Sequence, residues 1–396
     1  MTTTRAETGG ECLAVERVSD IHEFERLRTE WDELLEASAV NCLFLTWEWL
    51  YTWWKHLRAN RKLWILTVRR EGKLTGLAPL ALRPPSLMRS HPLPVLEFLG
   101  SGFAGSDYLD FIIRRGCEPE SLRALAGKLA PELLMIELSQ LKRGASLAER
   151  AIPIFAAKGW RASPSVSNVC PFISLEGHSW ESYLEQLGSE HRYNIRRKLR
   201  RMEKEFDAQF EEIKTEGPLG PALEEVVRLH HLRWDARGGS DAFHTSELLA
   251  FHEEFAQIAL SRGWLRLYLL RLDGAPAAGV YGFLYRRVFY FYQSGFDPAY
   301  SKNSVGLAAI GLSIKSAIAE GALEYDFLHG GEEYKSRWSR QSRDLLKLEL
   351  YPPRARGWLY RSSLEIGRAS RAVARRVLPQ TVVNRLTVKA HRSSRR

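Results

Sequence analysis

The sequence predicts an α+β protein built from two similar halves. Two hairpin-like stretches point to it first: Leu63–Leu82 and Trp264–Tyr285 each place two apolar runs rich in β-formers around a short turn, Glu71-Gly72 in one and Asp273-Gly274 in the other. Each stretch also follows segments with helical spacing and precedes further strand and helix signals, so an internal duplication is the simplest account. Length agrees, because 396 residues at roughly 100–200 per domain favour two domains or one domain of two halves. With 45% hydrophobic and 26% charged residues, the chain is an ordinary globular one with a real core, and a disordered chain is excluded.

In the first half, Phe24, Leu27, Trp31, Leu34 and Leu35 recur at helical spacing over 21–37, and 43–57 reads as a second helix capped by Thr46. That helix holds four of the twelve tryptophans, which read as core rather than as a ligand box. After the hairpin come expected strands at 95–99, 108–113 and 133–138 and helices at 119–130 and 145–158, with the half closing near Pro171. The second half is expected to run as a helical stretch over 180–206, a strand at 208–213, helices at 221–235 and 246–262 around a polar loop at 238–241, and then the second hairpin. An aromatic strand from Val288, a polar loop, a helix from about Ser304 to Gly321 and a strand from Leu323 follow. The resulting division is 1–175, 176–353 and a basic, partly helical tail at 354–396.

Charge is unevenly spread. The chain carries 57 Lys+Arg against 47 Asp+Glu, a net +10, yet residues 354–396 hold twelve Lys+Arg and the single acid Glu365. The remaining 353 residues hold 45 basic and 46 acidic side chains, so the body is nearly neutral. The tail, with apolar residues scattered among its arginines, suits either simple solubilisation or an anionic lipid or nucleic-acid surface. A second basic cluster, His191–Lys204, places Ile195, Leu199, Met202 and Phe206 on one helical side; its charged remainder is either a solvated face or a surface turned toward a phosphate. The four cysteines form no CxxC pair, which fits a reducing compartment, and no His/Cys/Asp cluster has metal-ligand spacing. No apolar run is long enough to span a membrane, and the first residues lack a secretory h-region. The expected location is the cytoplasm, with the basic tail able to hold the protein at the inner membrane surface.

Two neighbouring segments carry the chemistry. Lys302, Asn303, Ser304 and Gly306 stand at a helix start, where free backbone N–H groups and the positive end of the dipole make a plausible pyrophosphate cradle. Just beyond the next strand, Asp326, His329, two glycines, Glu332, Glu333, Tyr334 and Lys335 cluster in a turn. Asp326 reads equally as a carboxylate capping the turn, and His329 as part of that turn.

The succession of aromatic strand, polar loop, Ser304-x-Gly306 helix start, Glu320-Gly321, Tyr325-Asp326-Phe327 and Gly330-x-x-x-Tyr334-Lys335-x-x-Trp338 resembles the GNAT-superfamily acyltransferases of the bacterial cellulose and exopolysaccharide type (CelD-like), relatives of the Fem-type peptidoglycan aminoacyl transferases. Trp47-Glu48-Trp49, the Arg192-Tyr-Asn-Ile-Arg-Arg-Lys198 run and His230-x-x-Arg233-Trp234-x-x-Arg237 match as well. The resemblance covers about residues 20–352. It implies two tandem GNAT-like folds, each a mixed sheet flanked by helices, with acyl transfer in the second copy, acetyl- or another acyl-coenzyme A as donor and no metal. Lys302, Asn303, Ser304, Gly306 and Leu307 then hold the donor, although Val305-Gly306-Leu307-Ala308 supplies only one glycine of the superfamily's usual pyrophosphate signature. Acyl transfer to an amine or hydroxyl needs a base, carbonyl-polarising donors and an acid for the thiolate. Asp326 or Glu333 is the candidate base, His230 the histidine best placed by the match, and Tyr334 or Tyr300 the candidate acid, a phenol near pKa 10 being a fair donor to a thiol near 8.5. Arg196, Trp234, Lys335 and Trp338 are the candidate acceptor contacts. The acceptor class implied is a small molecule or polysaccharide precursor. The alternatives are aminoacyl transfer from charged tRNA, as in Fem-type relatives, and a non-catalytic partner of membrane-bound polysaccharide synthesis machinery.

Overall fold

The computed structural model describes residues 4–6, 13–85, 93–235 and 242–362. The loop at 238–241, Arg237 and the tail beyond 362 lie outside the described residues. Two compact units divide the chain, one holding the described residues up to 167 together with those from 345 onward, the other holding 168–344. The expected divisions after 175 and 353 fall at the ends of strands, whereas the units part inside two long strands, β8 (Arg161–Ser174) and β14 (Gln341–Tyr351). Neither strand is among the sequence expectations. The Ser- and Pro-bearing start of the first has no apolar alternation, and the second follows the last recognised motif.

In the first unit, β1 (Thr4–Ala6), β2 (Leu13–Val18), β3 (Lys62–Arg70), β4 (Lys73–Arg83) and β5 (Val95–Phe98) pair antiparallel in that order. The sheet continues through β7 (Met135–Lys142), which runs parallel to β5, to residues 345–350 of β14, antiparallel to β7. The β3–β4 turn has Glu71 at φ 49° and Gly72 at φ 81°, the two positive dihedrals that a two-residue hairpin matching strand twist requires. Helices α1 (Ile21–Arg26), α2 (Arg28–Glu36) and α3 (Trp47–Leu57) fill the β2–β3 connection. Thr46 caps α3 by accepting from Trp49 N, 3.3 Å, and the tryptophans are core: Trp49 and Trp53 are buried, and the Trp49 indole N–H donates to Ser106 Oγ at 2.8 Å. α4 (Glu118–Leu129) links β5 to β7.

Two first-half expectations need correcting. The strand expected at 108–113 is reduced to β6 (Ile112–Ile113), because the Asp110 carboxylate takes the backbone N–H groups of Phe111, Leu147 and Ala148 and Tyr108 sits at φ 58°. The helix expected at 145–158 is two short ones, α5 (Leu147–Arg150) and α6 (Ile152–Ala156), since Pro153 cannot continue the first.

The second unit repeats the plan. Its sheet order is β8, β13 (Glu324–Asp326), β12 (Val288–Phe296), β11 (Ala275–Tyr285), β10 (Leu265–Leu272), β9 (Ala208–Glu212), with β12 and β13 the one parallel pair in that order. α9 (Leu219–Asp235) and α10 (Ser246–Ser261) fill the β9–β10 connection, and α11 (Val305–Ala319) links β12 to β13. The stretch 180–206 is two helices, α7 (Trp180–Gln186) and α8 (Ser189–Glu205), parted where Leu187 turns extended at ψ 153°. Gly295 and Phe296 fix which face each helix covers. A Cβ at Gly295 would fall 2.1 Å from His230 N on α9, so only glycine allows that approach, while Phe296 meets Gly306 at the start of α11. Successive strand residues point to opposite faces, so α9 and α11 cover opposite sides of the sheet.

Candidate active site

The site begins where β12 and β13 part. Their pairing covers only Val288–Tyr290 against Glu324–Asp326, and residues 291–296 of β12 run on with no β13 partner. β12 also carries an extra residue, Tyr292, between Phe291 and Gln293, which face Gly282 and Tyr281 of β11. A bulge of this kind turns the strand and re-aims its side chains.

A cavity of about 270 Å³ opens at this end of β12, lined by Ser294 and Phe296, Ser301, Ser304, Val305, Gly306, Leu307 and Ile310 of the α11 approach, Lys198 of α8, Arg233 of α9, and Tyr334, Arg337 and Trp338 of α12 (Glu333–Trp338). The first turn of α11 forms its floor. Ser304 sits there at φ 57° and makes no side-chain cap, and the first helical amide to find a partner is that of Ala308, which donates to Ser304 O at 3.0 Å. The amides of Val305, Gly306 and Leu307 are therefore unused helix-start donors, carrying the positive end of a fifteen-residue dipole.

Three cations surround these amides, and no carboxylate lines the cavity. Arg233 donates to Ser294 Oγ at 2.8 Å and lies over the rings of Tyr334 and Phe296 at 4.9 and 5.6 Å. Lys198 is held below the usual lysine range by burial and then by Arg197 and Arg337. His191, edge-on to Trp338 at 5.4 Å, is pulled down by burial, Arg337 and Lys198. Burial is the larger cause of both shifts and the neighbouring cations add to it, so an anion placed among them would favour the charged forms. Burial pushes the Tyr334 phenol up to about 12 despite Arg233 beside it, so it remains protonated at neutral pH and can donate a hydrogen bond or a proton.

Of the residues singled out from sequence, Ser304, Gly306, Leu307, Tyr334 and Trp338 line this cavity. Lys302 is exposed, and Asn303 reaches Glu205 at 3.5 Å. Arg196 is exposed on α8, and the residue two further on, Lys198, faces the cavity instead. Trp234 is not among the lining residues; its neighbour Arg233 is. Lys335 is a buried clamp, donating to His329 O at 2.8 Å and pairing with Glu332 at 2.9 Å. Glu333 is 82% exposed and tied to Arg337, which lowers its pKa; it stands outside the lining. His230 is buried with Nδ1 3.1 Å from Ser294 O, and burial drives its pKa down to about 4. Asp326 is wholly buried, accepts from Leu328 N at 2.8 Å, lies 3.8 Å from Arg343 and is absent from the cavity wall. Tyr300 packs near Phe206, also outside the lining. The polar lining residues missed were Lys198, Arg233, Arg337, Ser294 and Ser301. Arg233 was visible inside its motif, and Lys198 in the basic run. Among the described residues, no group of three or more His, Cys, Asp or Glu is placed to hold a metal ion, and no helix is long and apolar enough to cross a membrane.

Residues 189–336, which hold all of the cavity lining except Arg337 and Trp338, match the family described as an acetyltransferase (GNAT) domain. Among solved structures, the chain is similar to FemX at 12% identity with TM-score 0.58, over 81% of this chain and 95% of that one. It is similar to a C-terminal (DUF2156) domain assigned to a lysylphosphatidylglycerol synthetase from Agrobacterium fabrum at 10% identity, TM-score 0.51, over 88% and 97% of the two chains. L-PGS from Bacillus licheniformis follows at 11% identity and TM-score 0.50, over 86% and 95%. At these identities the likeness is one of fold. No curated protein matches the chain by sequence. The chain thus has a GNAT-like acyltransferase fold, with the domain match lying in its second unit.

Proposed function

We propose that the second unit transfers an acetyl or other acyl group from coenzyme A to an amine or hydroxyl acceptor. The observation that carries this reading is the floor of the cavity: three unused amides at the start of α11, ringed by Lys198, Arg233 and Arg337, with no carboxylate in the lining. That arrangement suits a pyrophosphate, and the apolar wall of Phe296, Leu307, Ile310 and Trp338 suits the uncharged arm that follows it. Tyr334, protonated and in the wall, is the group available to donate to the thioester oxygen or to the departing thiolate. A neutral amine would attack the thioester carbonyl, forming the C–N bond as the C–S bond breaks, and with no carboxylate in the lining the proton left on its nitrogen passes to solvent. Asp326 and His230 act through the backbone they hold. The motifs shared with the exopolysaccharide type support a polysaccharide precursor as acceptor.

Titration of the full chain with acetyl-coenzyme A tests the donor, and binding in the micromolar to millimolar range usual for substrates is expected. No binding, together with salt-sensitive binding of aminoacylated tRNA, would replace this reading with the Fem-like one. With a working acceptor, Tyr334→Phe should lower kcat roughly 10²–10⁴-fold with little change in donor affinity. An unchanged kcat removes Tyr334 from the chemistry.

A further inference from the structure

A larger cavity of the second unit, about 900 Å³, lies between α9 and α10. Leu219, Leu223 and Val227 recur every four residues along α9 and, with Leu249 of α10, give it an apolar wall. Gly220 keeps the first turn of α9 open, since a Cβ there would meet nothing within 4 Å. Around this wall stand the exposed carboxylates of Glu216, Glu224 and Glu253, and no lysine or arginine among the described residues pairs with any of them. The one guanidinium in the lining, Arg228, is committed to Glu225, which stands outside it, at 2.5 Å. The cavity is therefore acidic, whereas three cations and no carboxylate line the cavity at the start of α11.

A second observation comes from His252, which also lines the space. It is 2% exposed, its Nε2 lies 3.3 Å from the Tyr292 hydroxyl, and its Nδ1 has no hydrogen-bond partner among the described residues. Burial drives its pKa down to about 3, so the ring is neutral at ordinary pH. When Nε2 donates to Tyr292, Nδ1 is left as an acceptor, which is what an ammonium N–H needs. A buried polar atom left unpaired is costly, and a ligand that reaches it removes that cost.

The spacing of these groups narrows the ligand. No three or more His, Cys, Asp or Glu among the described residues are placed to hold one metal ion, so the acids and histidines of this lining do not converge on a point. A compact cation meets only one of them at a time. A flexible chain carrying separated positive charges can meet several, and its methylenes can cover the apolar wall between them. We propose that the cavity between α9 and α10 binds a linear aliphatic polyamine, its ammonium groups at Glu216, Glu224 and Glu253, its methylenes on the leucine wall and one N–H at His252 Nδ1. This inference does not depend on acyl transfer, since none of these residues lines the cavity assigned to the donor.

The test is calorimetric titration of the full chain with spermidine, with no acyl donor present. One site per chain is expected, weakening as salt rises, with butylamine binding roughly tenfold or more weakly because it carries a single ammonium. Glu224→Gln with Glu253→Gln, both exposed and so tolerated by the fold, should lower spermidine affinity roughly tenfold with an unchanged melting temperature. Gly220→Trp, placed where there is room for a side chain, should lower it at least as much by filling the groove. Glu118→Gln with Glu120→Gln, on the first unit, should leave it unchanged. Absence of spermidine binding overturns the proposal, as do equal affinity for butylamine or for magnesium ion, indifference to the Glu224 and Glu253 substitutions, and an equal loss from the first-unit substitutions. A lysine-rich peptide that binds tighter than spermidine and is weakened by the same groove substitutions would overturn it in favour of a protein partner.

Discussion

The two units share a strand order and differ in chemistry. β2-β3-β4-β5-β7-β14 in the first corresponds to β9-β10-β11-β12-β13-β8 in the second, each with a single parallel pair, β5–β7 and β12–β13. Their sixth strands are exchanged along the chain: the first unit's comes from beyond the second unit, and the second unit's from the segment leaving the first. The helix following the fourth strand of each series shows what sets them apart. α11 opens with no acid and three unused amides beneath a cationic cavity. α4 opens with Glu118 and Glu120 in its first turn and Pro119 beside them, with Glu118 turned back onto Gly116 N at 2.8 Å and Glu120 paired with Arg70. The same element opens on unused amides in one unit and on two carboxylates in the other. A shared fold therefore says little about which copy works; the first turn of one helix says more.

The largest expected departure between the units is their response to pH. His230 and His252 in the second unit are buried, which drives their pKa values down to about 4 and about 3 from 6.5. Because the folded state refuses protons that the unfolded state accepts, their stabilisation is complete above pH 6.5 and is lost as pH falls toward those values. From pH 7 to 5 each should cost about 2 kcal/mol. Asp110 in the first unit is pushed the other way, up to about 6 by burial, so it favours folding as pH falls from 6 toward 3.8, a gain of about 1 kcal/mol by pH 5. Hydrogen exchange read separately over the two units, corrected for intrinsic rates, should show the second loosening first, and His230→Asn should flatten its profile. Parallel loss in both units would contradict the assignment.

Donor binding should separate the units next. Arg233→Met is expected to weaken acetyl-coenzyme A binding roughly 10–150-fold, the range for a hydrogen bond to a charged group. Leu307→Glu gives α11 the acidic first turn that α4 has, and should cost roughly tenfold in affinity by placing like charge at the helix start. The smallest effect belongs to the control: Glu118→Gln with Glu120→Gln should leave donor affinity unchanged and alter stability by about 1 kcal/mol, the upper end for a surface ion pair, because the Glu120–Arg70 pair is half-buried. If the control moves donor affinity as much as Leu307→Glu does, the first unit binds donor too.

Much of this was legible in local sequence. The two-residue turns at Glu71-Gly72 and Asp273-Gly274, the Thr46 cap, the duplicated hairpins and the helix start at Ser304 each depend on a few consecutive residues, whose dihedral preferences and spacing act before any tertiary contact forms. The tertiary structure decided the rest. On α8, rotation by two residues turns Lys198 rather than Arg196 to the cavity, and that rotation is set by Ile195 and Met202 packing into the core of the second unit. Asp326, Glu333 and Lys335 stand in the motif segment, yet they serve a turn, a surface ion pair and a loop clamp, because β13 is only three residues long and α12 turns only Tyr334, Arg337 and Trp338 to the cavity. β8 and β14 escaped notice because their pairing is supplied by strands far away in sequence. Residue types and local periods are written in the chain itself, whereas which side chains share one cavity depends on where distant strands diverge and how each helix is turned against the sheet.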